Sequence, residues 1–171
     1  ERLLVAMADD PFFRGGLSAP NSLFLHSDRP LVSGNGTSTL LHELIHVGLG
    51  RSAGPGADWI VEGIAEYYSL TLLYRAGSVT RRRHRNTLRD LREWGQDVTS
   101  LRTDASSGPV TARAATVLSA LDAEIRRRSG GSYSLDDVVR ALAAEEGPLT
   151  LDALREAVRT LLGRDADAIA D

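Results

Sequence analysis

"LLHELIHV", residues Leu40–Val47, sets His42, Glu43 and His46 inside an otherwise apolar run. Two imidazoles and a carboxylate are poor material for an ordinary helix core. Residues i and i+4 of an α-helix lie one turn apart on the same face, so His42 and His46 can aim ring nitrogens at one ion. Glu43 sits one position round from His42, where its carboxylate reaches a water activated by that ion and not the ion itself. This division of labour is the physical content of an H-E-x-x-H pattern on a helix. The plainer alternative is a helix whose histidines are surface or satisfied core residues.

A metal centre of this kind needs a third ligand from a different element. Trp59–Tyr68, "WIVEGIAEYY", supplies a candidate in Glu62, one turn into a helix expected to start after Asp58. Positions 47 to 61 separate it from His46, enough to leave the first helix, turn through "RSAGPGA" and return antiparallel. Glu66, four residues on, falls on the same face one turn later. Glu62 is the expected ligand, and Glu66 the acceptor for the second ring N–H of one histidine, fixing its tautomer. The two acids can also exchange these roles. Without the upstream motif, Glu62 would read as a first-turn acid favoured by the helix dipole.

Composition narrows the chemistry. A chain of 171 residues, 42% of them hydrophobic, is long enough to bury one sizeable core, and a single domain (1–171) is expected. A net charge of −3 and a pI near 5.8 create no basic field for nucleic acid. Cysteine is absent, so a metal must be held by histidine and carboxylates, which suits one Zn²⁺ ion with an oxygen ligand. Every basic residue is arginine, and with abundant Ala, Gly and Asp this suggests a GC-rich bacterial source. No apolar run reaches transmembrane length and no signal peptide opens the chain. Because the first residue is Glu1, the chain is expected to be a fragment, with cytoplasmic and exported locations both open.

The pattern predicts an α+β fold, mostly α. Strands are expected at Arg2–Met7 and Ser22–His26, with Asp9–Asn21 as a Pro/Gly-rich loop. Thr37 or Ser38 caps a helix to about Leu49, stopped by Gly50, and Asp58 caps a helix over Trp59–Ala76, closed by Gly77. Further helices are expected over Thr80–Gln96, over Ala112–Arg128, from the capping box at Ser134 to about Glu146, and from Thr150 to near Gly163. The chain thus reads as sheet and loop (1–35), zinc-site helices (36–77), a helical part (78–163) and a loose tail (164–171).

"HELIH" followed by "WIVEGIAEYY" resembles the gluzincin metallopeptidases, in detail the glycyl aminopeptidase family with its thermolysin-like catalytic domain. "GGLSAPNSL", "LLYRAGSVT" and "LDAEIRRRSGGSYSLDDVVRAL" agree with it, so the resemblance runs from about Gly15 to Leu142. It implies a thermolysin-like zincin fold, zinc held by His42, His46 and Glu62, and Glu43 as general base. It also implies a peptide or protein substrate bound near Gly15, Gly16 and Leu17, its extended backbone pairing with the strand Ser22–His26 and the glycine loop. Family members carry further domains, so other domains of the same full-length chain are possible partners.

Two positions depart from the family pattern. The acid that recognises a substrate's α-amino group follows the glycine pair there; here Ser18 stands in its place. The tyrosine that donates to the oxyanion is matched by Thr111, which carries no phenol. Loss of one such donor costs about 10²–10³ in rate. Two functions are therefore carried forward: a zinc metallopeptidase of aminopeptidase type, and a zinc-binding but catalytically weak module that binds peptides or holds neighbouring domains. Tyr67, Tyr68, Tyr133, His26 and His84 read as core or surface residues, and "RRRHR" (Arg81–Arg85) as a solvated helix face.

Overall fold

Helix α1 (Thr39–Leu49) starts where Ser38 accepts the Leu41 N–H at 3.3 Å, and ends where Gly50 turns left-handed at φ 61°. In this computed structural model, which describes residues 2–169, five more helices follow: α2 (Asp58–Arg75), α3 (Arg81–Trp94), α4 (Gly108–Arg128), α5 (Leu135–Ala144) and α6 (Leu151–Leu162). Three short strands precede α1: β1 (Leu4–Ala8), β2 (Gly16–Ala19) and β3 (Ser22–His26). The protein is α+β and mostly helical. No helix among the described residues is long and apolar enough to cross a membrane.

The chain divides into two compact units, residues 1–50 with 65–90 and residues 51–64 with 91–171. In the first, the sheet has the order β1-β3-β2, with β1 parallel and β2 antiparallel to β3. Leu23 and Leu25 of β3 are buried, on the face that α1 covers. His26 at the end of β3 is a satisfied core histidine. Its Nδ1 accepts the Asp28 N–H, so Nε2 carries the proton and donates to the Asp10 carbonyl, each at 3.1 Å.

In the second unit, α4 packs against α5, α6 and the closing 3₁₀ turn at Asp167–Ile169. Fully buried Leu118, Leu121, Ile125, Leu135, Val138, Leu142, Leu154 and Val158 form its core. The Ser134 capping box forms with Asp137 as the reciprocal acid. Gly63 permits close packing within this unit: a Cβ there would lie 2.8 Å from the Cβ of Ala114.

Three expectations are corrected. The Asp9–Asn21 loop contains β2, whose four residues become a strand by pairing with β3 and not through their own propensity. The tail is not loose. Glu124 accepts the Asp167 and Ala168 N–H groups at 2.9 and 3.0 Å, and Arg128 donates to the Asp165 carbonyl at 2.8 Å. The last two residues of that tail, 170 and 171, lie outside the described residues. Asp58 lies within α2, and its carboxylate accepts the Ser106 N–H at 2.7 Å instead of capping its own helix.

Candidate metal centre

α1 presents His42 and His46 one turn apart, and their Nε2 atoms face each other at 3.1 Å. The Nδ1 of His42 lies 3.2 Å from Oε2 of Glu66, where a carboxylate can only accept, so Nδ1 carries the proton. Nε2 of His42 is thereby left with its lone pair directed at His46. Glu66 is steadied in turn: the fully buried Ser69 donates to its carbonyl at 2.8 Å and stands 3.4 Å from its carboxylate. These contacts lie within the first unit.

Glu62 precedes Glu66 by one turn on the same unbroken helix, α2. His42, His46 and Glu62 each offer one ligand atom, and these atoms all lie within 4.8 Å of one another. Two imidazole nitrogens and one carboxylate oxygen, converging without cysteine, are the donor set that divalent zinc accepts. Converging lone pairs also repel unless a cation or a proton lies among them. The residues present therefore fit a metal ion. The three positions expected to be ligands are brought together, and Glu66 lies against Nδ1 of His42.

Glu43 points off this face. It is buried, 7% exposed, and lies against the backbone of β2. A Cβ on Gly16 would stand 2.7 Å from its Cγ, 2.8 Å from its Oε1 and 2.8 Å from Cγ2 of Thr39. Only glycine lets the strand approach the acid this closely. Sequence reasoning named Gly16 for substrate contact and missed this role; the glycine pair was the only signal for it. Thr39 and Ser69 were missed outright.

The expected substrate edge moves by one strand. Ser22–His26 is the central strand, paired on both sides, so its backbone offers no edge. β2 is the outer strand beside α1. The His26 N–H donates to the Gly15 carbonyl, so the alternation of the ladder turns the backbone groups of Gly16 and Ser18 outward. Leu17 is exposed, and so is Ser18, at the position where the resemblance expects an acid.

The remaining candidates settle into structural places. Tyr67 and Tyr68 are buried, with rings 5.2 Å apart and edge to face. Tyr133 is exposed in the α4–α5 connection. Thr111 lies in the first turn of α4, its N–H bonded to the Ser107 carbonyl. His84 stacks on Tyr74 at 4.8 Å, and partial burial pulls its pKa below the ordinary histidine value. Comparison of the chain with family models, with curated proteins and with solved structures finds no match.

Proposed function

We propose that the chain is a zinc-dependent metallopeptidase domain of gluzincin type, with a thermolysin-like catalytic arrangement and an aminopeptidase-like ancestry. The observation that carries this reading is the convergence of His42, His46 and Glu62, with a buried acid, Glu43, next to the first ligand. His42, His46 and Glu62 would hold one zinc ion. When bound, such an ion supplies Lewis-acid polarisation of a carbonyl and makes a water acidic near neutral pH.

The side chains of this chain perform the rest. Glu43 accepts the proton of the attacking water and returns it to the departing amine, as a general base and then a general acid. Glu66 holds the His42 ring in the tautomer that leaves Nε2 available, and Ser69 holds Glu66. The outward backbone groups of Gly16 and Ser18 extend the sheet by one strand of peptide substrate, beside Glu43. No charged anchor follows the glycine pair, so this edge recognises extended backbone without demanding a free amino group.

A second reading is favoured by specific positions. Ser18 and Thr111 carry neither the carboxylate nor the phenol that the resemblance calls for, and Tyr67 and Tyr68 are spent in the core. These absences favour a zinc-binding module that holds peptides and turns them over slowly. Internally quenched and aminoacyl peptides, tested with the chain and with Glu43→Gln, separate the two readings. Cleavage that Glu43→Gln abolishes supports the peptidase; peptide binding with no cleavage supports the module. Absence of stoichiometric zinc in the purified chain would sink both.

A further inference from the structure

The stretch just before α1, "SGNGTS" at Ser33–Ser38, decides where the histidine-bearing helix begins. Ser38 ties it to the metal face directly. Its carbonyl accepts the His42 N–H at 2.9 Å, and its hydroxyl accepts the Leu41 N–H at 3.3 Å. Within the stretch, Gly36 donates to the Ser33 carbonyl and Ser33 donates to the Thr37 carbonyl. The Asn35 side chain accepts both the N–H and the hydroxyl of Thr37. Thr37 and Ser38 are buried, so this entry is packed and not a loose lead-in.

Helix α3 contributes no ligand, yet it takes up the carbonyls of this entry. Arg83 donates from Nη2 to the Ser33 carbonyl at 3.0 Å and to that of Gly34 at 3.3 Å. Thr87, only 3% exposed, donates its hydroxyl to the Asn35 carbonyl at 2.8 Å. The Arg83 carbonyl lies 3.1 Å from the same hydroxyl but already accepts the Thr87 N–H in the helix ladder, so the hydroxyl proton goes to the entry. Gly36, left-handed at φ 89°, admits the close approach, because a Cβ there would run into the Thr87 hydroxyl. His84, on the same face of α3, reaches α2: Nε2 stands 3.4 Å from the Thr71 hydroxyl and the ring stacks on Tyr74. One face of α3 thus grips both the entry to α1 and the helix that carries Glu66. All of these residues belong to the first unit.

We propose that α3 braces the metal centre, with Thr87 and Arg83 as positioning residues that fix the first turn of α1 and, through it, the His42 ring. This rests on the reading of His42, His46 and Glu62 as the ligands of one zinc ion. His42 is the ligand nearest the entry, and its own N–H is bonded to Ser38. Any slip of the first turn therefore moves His42 against Glu66, its partner across on α2, before it moves His46. A brace that favours the zinc-competent place of α1 must in turn be favoured by zinc, by the same factor, because coupling between two sites is reciprocal.

Thr87→Val keeps the branched shape and removes the hydroxyl, whereas Thr87→Ser keeps the hydroxyl. In the zinc-free chain, amide exchange followed by NMR is expected to speed up about 5–10-fold at Gly36, Thr37, Leu41 and His42 in Thr87→Val, with the amides of α4 to α6 unchanged. Calorimetric titration with zinc alone should show affinity about 5–10-fold weaker, and Thr87→Ser should restore both readouts. Saturating zinc should slow exchange at Gly36 and Thr37 in the parent, and less so in Thr87→Val. Arg83→Met, at an exposed side chain, disturbs no core and should shift the same readouts the same way by about 2–3-fold, which keeps the test open if Thr87→Val does not fold. Val158→Ala, which opens a cavity in the core of the second unit, should lower stability to urea and leave exchange in α1 and zinc affinity unchanged. The brace is overturned if Thr87→Val and Arg83→Met leave exchange at Leu41 and His42 unchanged, if zinc affinity falls no further than in Val158→Ala, or if Thr87→Ser restores nothing. A parent chain that takes up no zinc sinks the metal reading instead, and exchange at the first turn of α1 in the zinc-free chain then decides the brace.

Discussion

Gly16 and Glu43 touch so closely that a single methyl group on the glycine would stand 2.7 Å from the glutamate Cγ. Strand β2 and helix α1 are therefore fitted to each other at the residue assigned as the base. The backbone of Gly16 lies against the acid and also against Thr39, one helical turn before it.

Gly16→Ala is expected to leave the fold intact, because the displaced groups are the Glu43 and Thr39 side chains and not backbone. It moves the carboxylate, and a displacement of about 1 Å at a catalytic group costs roughly 10² in rate. Steady-state kinetics on a peptide that the parent cleaves should show a fall in kcat with KM and zinc content little changed. An unchanged kcat would mean that Glu43 is not held by the strand.

Zinc titrations by calorimetry should rank the acids on α2. Glu62→Ala and His46→Ala remove a ligand and are expected to abolish stoichiometric binding. Glu66→Gln keeps the shape but loses the charged acceptor for His42, and is expected to weaken zinc by about 10–100-fold. A Glu66→Gln affinity equal to that of the parent would contradict the orienting role.

His84 gives the stability of the first unit a pH dependence. Burial lowers its pKa from the ordinary 6.5, so between the folded value and 6.5 the unfolded chain binds more protons. Stability is therefore full above about pH 6.5, declines as pH falls through that window, and levels off below the folded value. In His84→Gln, urea melts between pH 5 and 7 should lose this component, and NMR titration of the parent ring should report the lowered pKa directly. A ring that titrates at or above 6.5 would refute the assignment.

Glu124 anchors the closing turn. Glu124→Ala removes the acceptor for two N–H groups and the ion-pair partner of Arg128, in a site where both side chains are about nine-tenths buried. A loss of about 2–3 kcal/mol is expected from urea unfolding. The Asp167 and Ala168 amides, protected in the parent, should exchange rapidly in the variant.

Some parts of the molecule are legible in the sequence because they depend only on local spacing. His42, His46, Glu62 and Glu66 stand at helical spacings, and a helix converts spacing into direction with little help from the rest of the chain. Ser38, Gly50 and the Ser134–Asp137 box were readable for the same local reason. β2 was not, because "GLSA" has no strand character until β3 pairs with it. The held tail was hidden too: Glu124 looks like any surface acid in α4 until the chain returns to it forty-three residues later. The order of the strands, which exchanges Ser22–His26 for Gly16–Ala19 as the edge beside the site, is a tertiary fact with no trace in local pattern.

One helix carries both Glu62 and Glu66, and this restricts how the protein can change through descent. Exchange of the residues between them is limited mainly by size, as Gly63 against Ala114 illustrates. Inserting or deleting a single residue between them is a different matter, because each residue turns a helix by about 100°. One carboxylate would then swing away while the other stayed in place. The three positions between the acids are buried and admit only small or apolar exchanges, and the stretch is closed to changes of length, so its lineage should keep one fixed spacing.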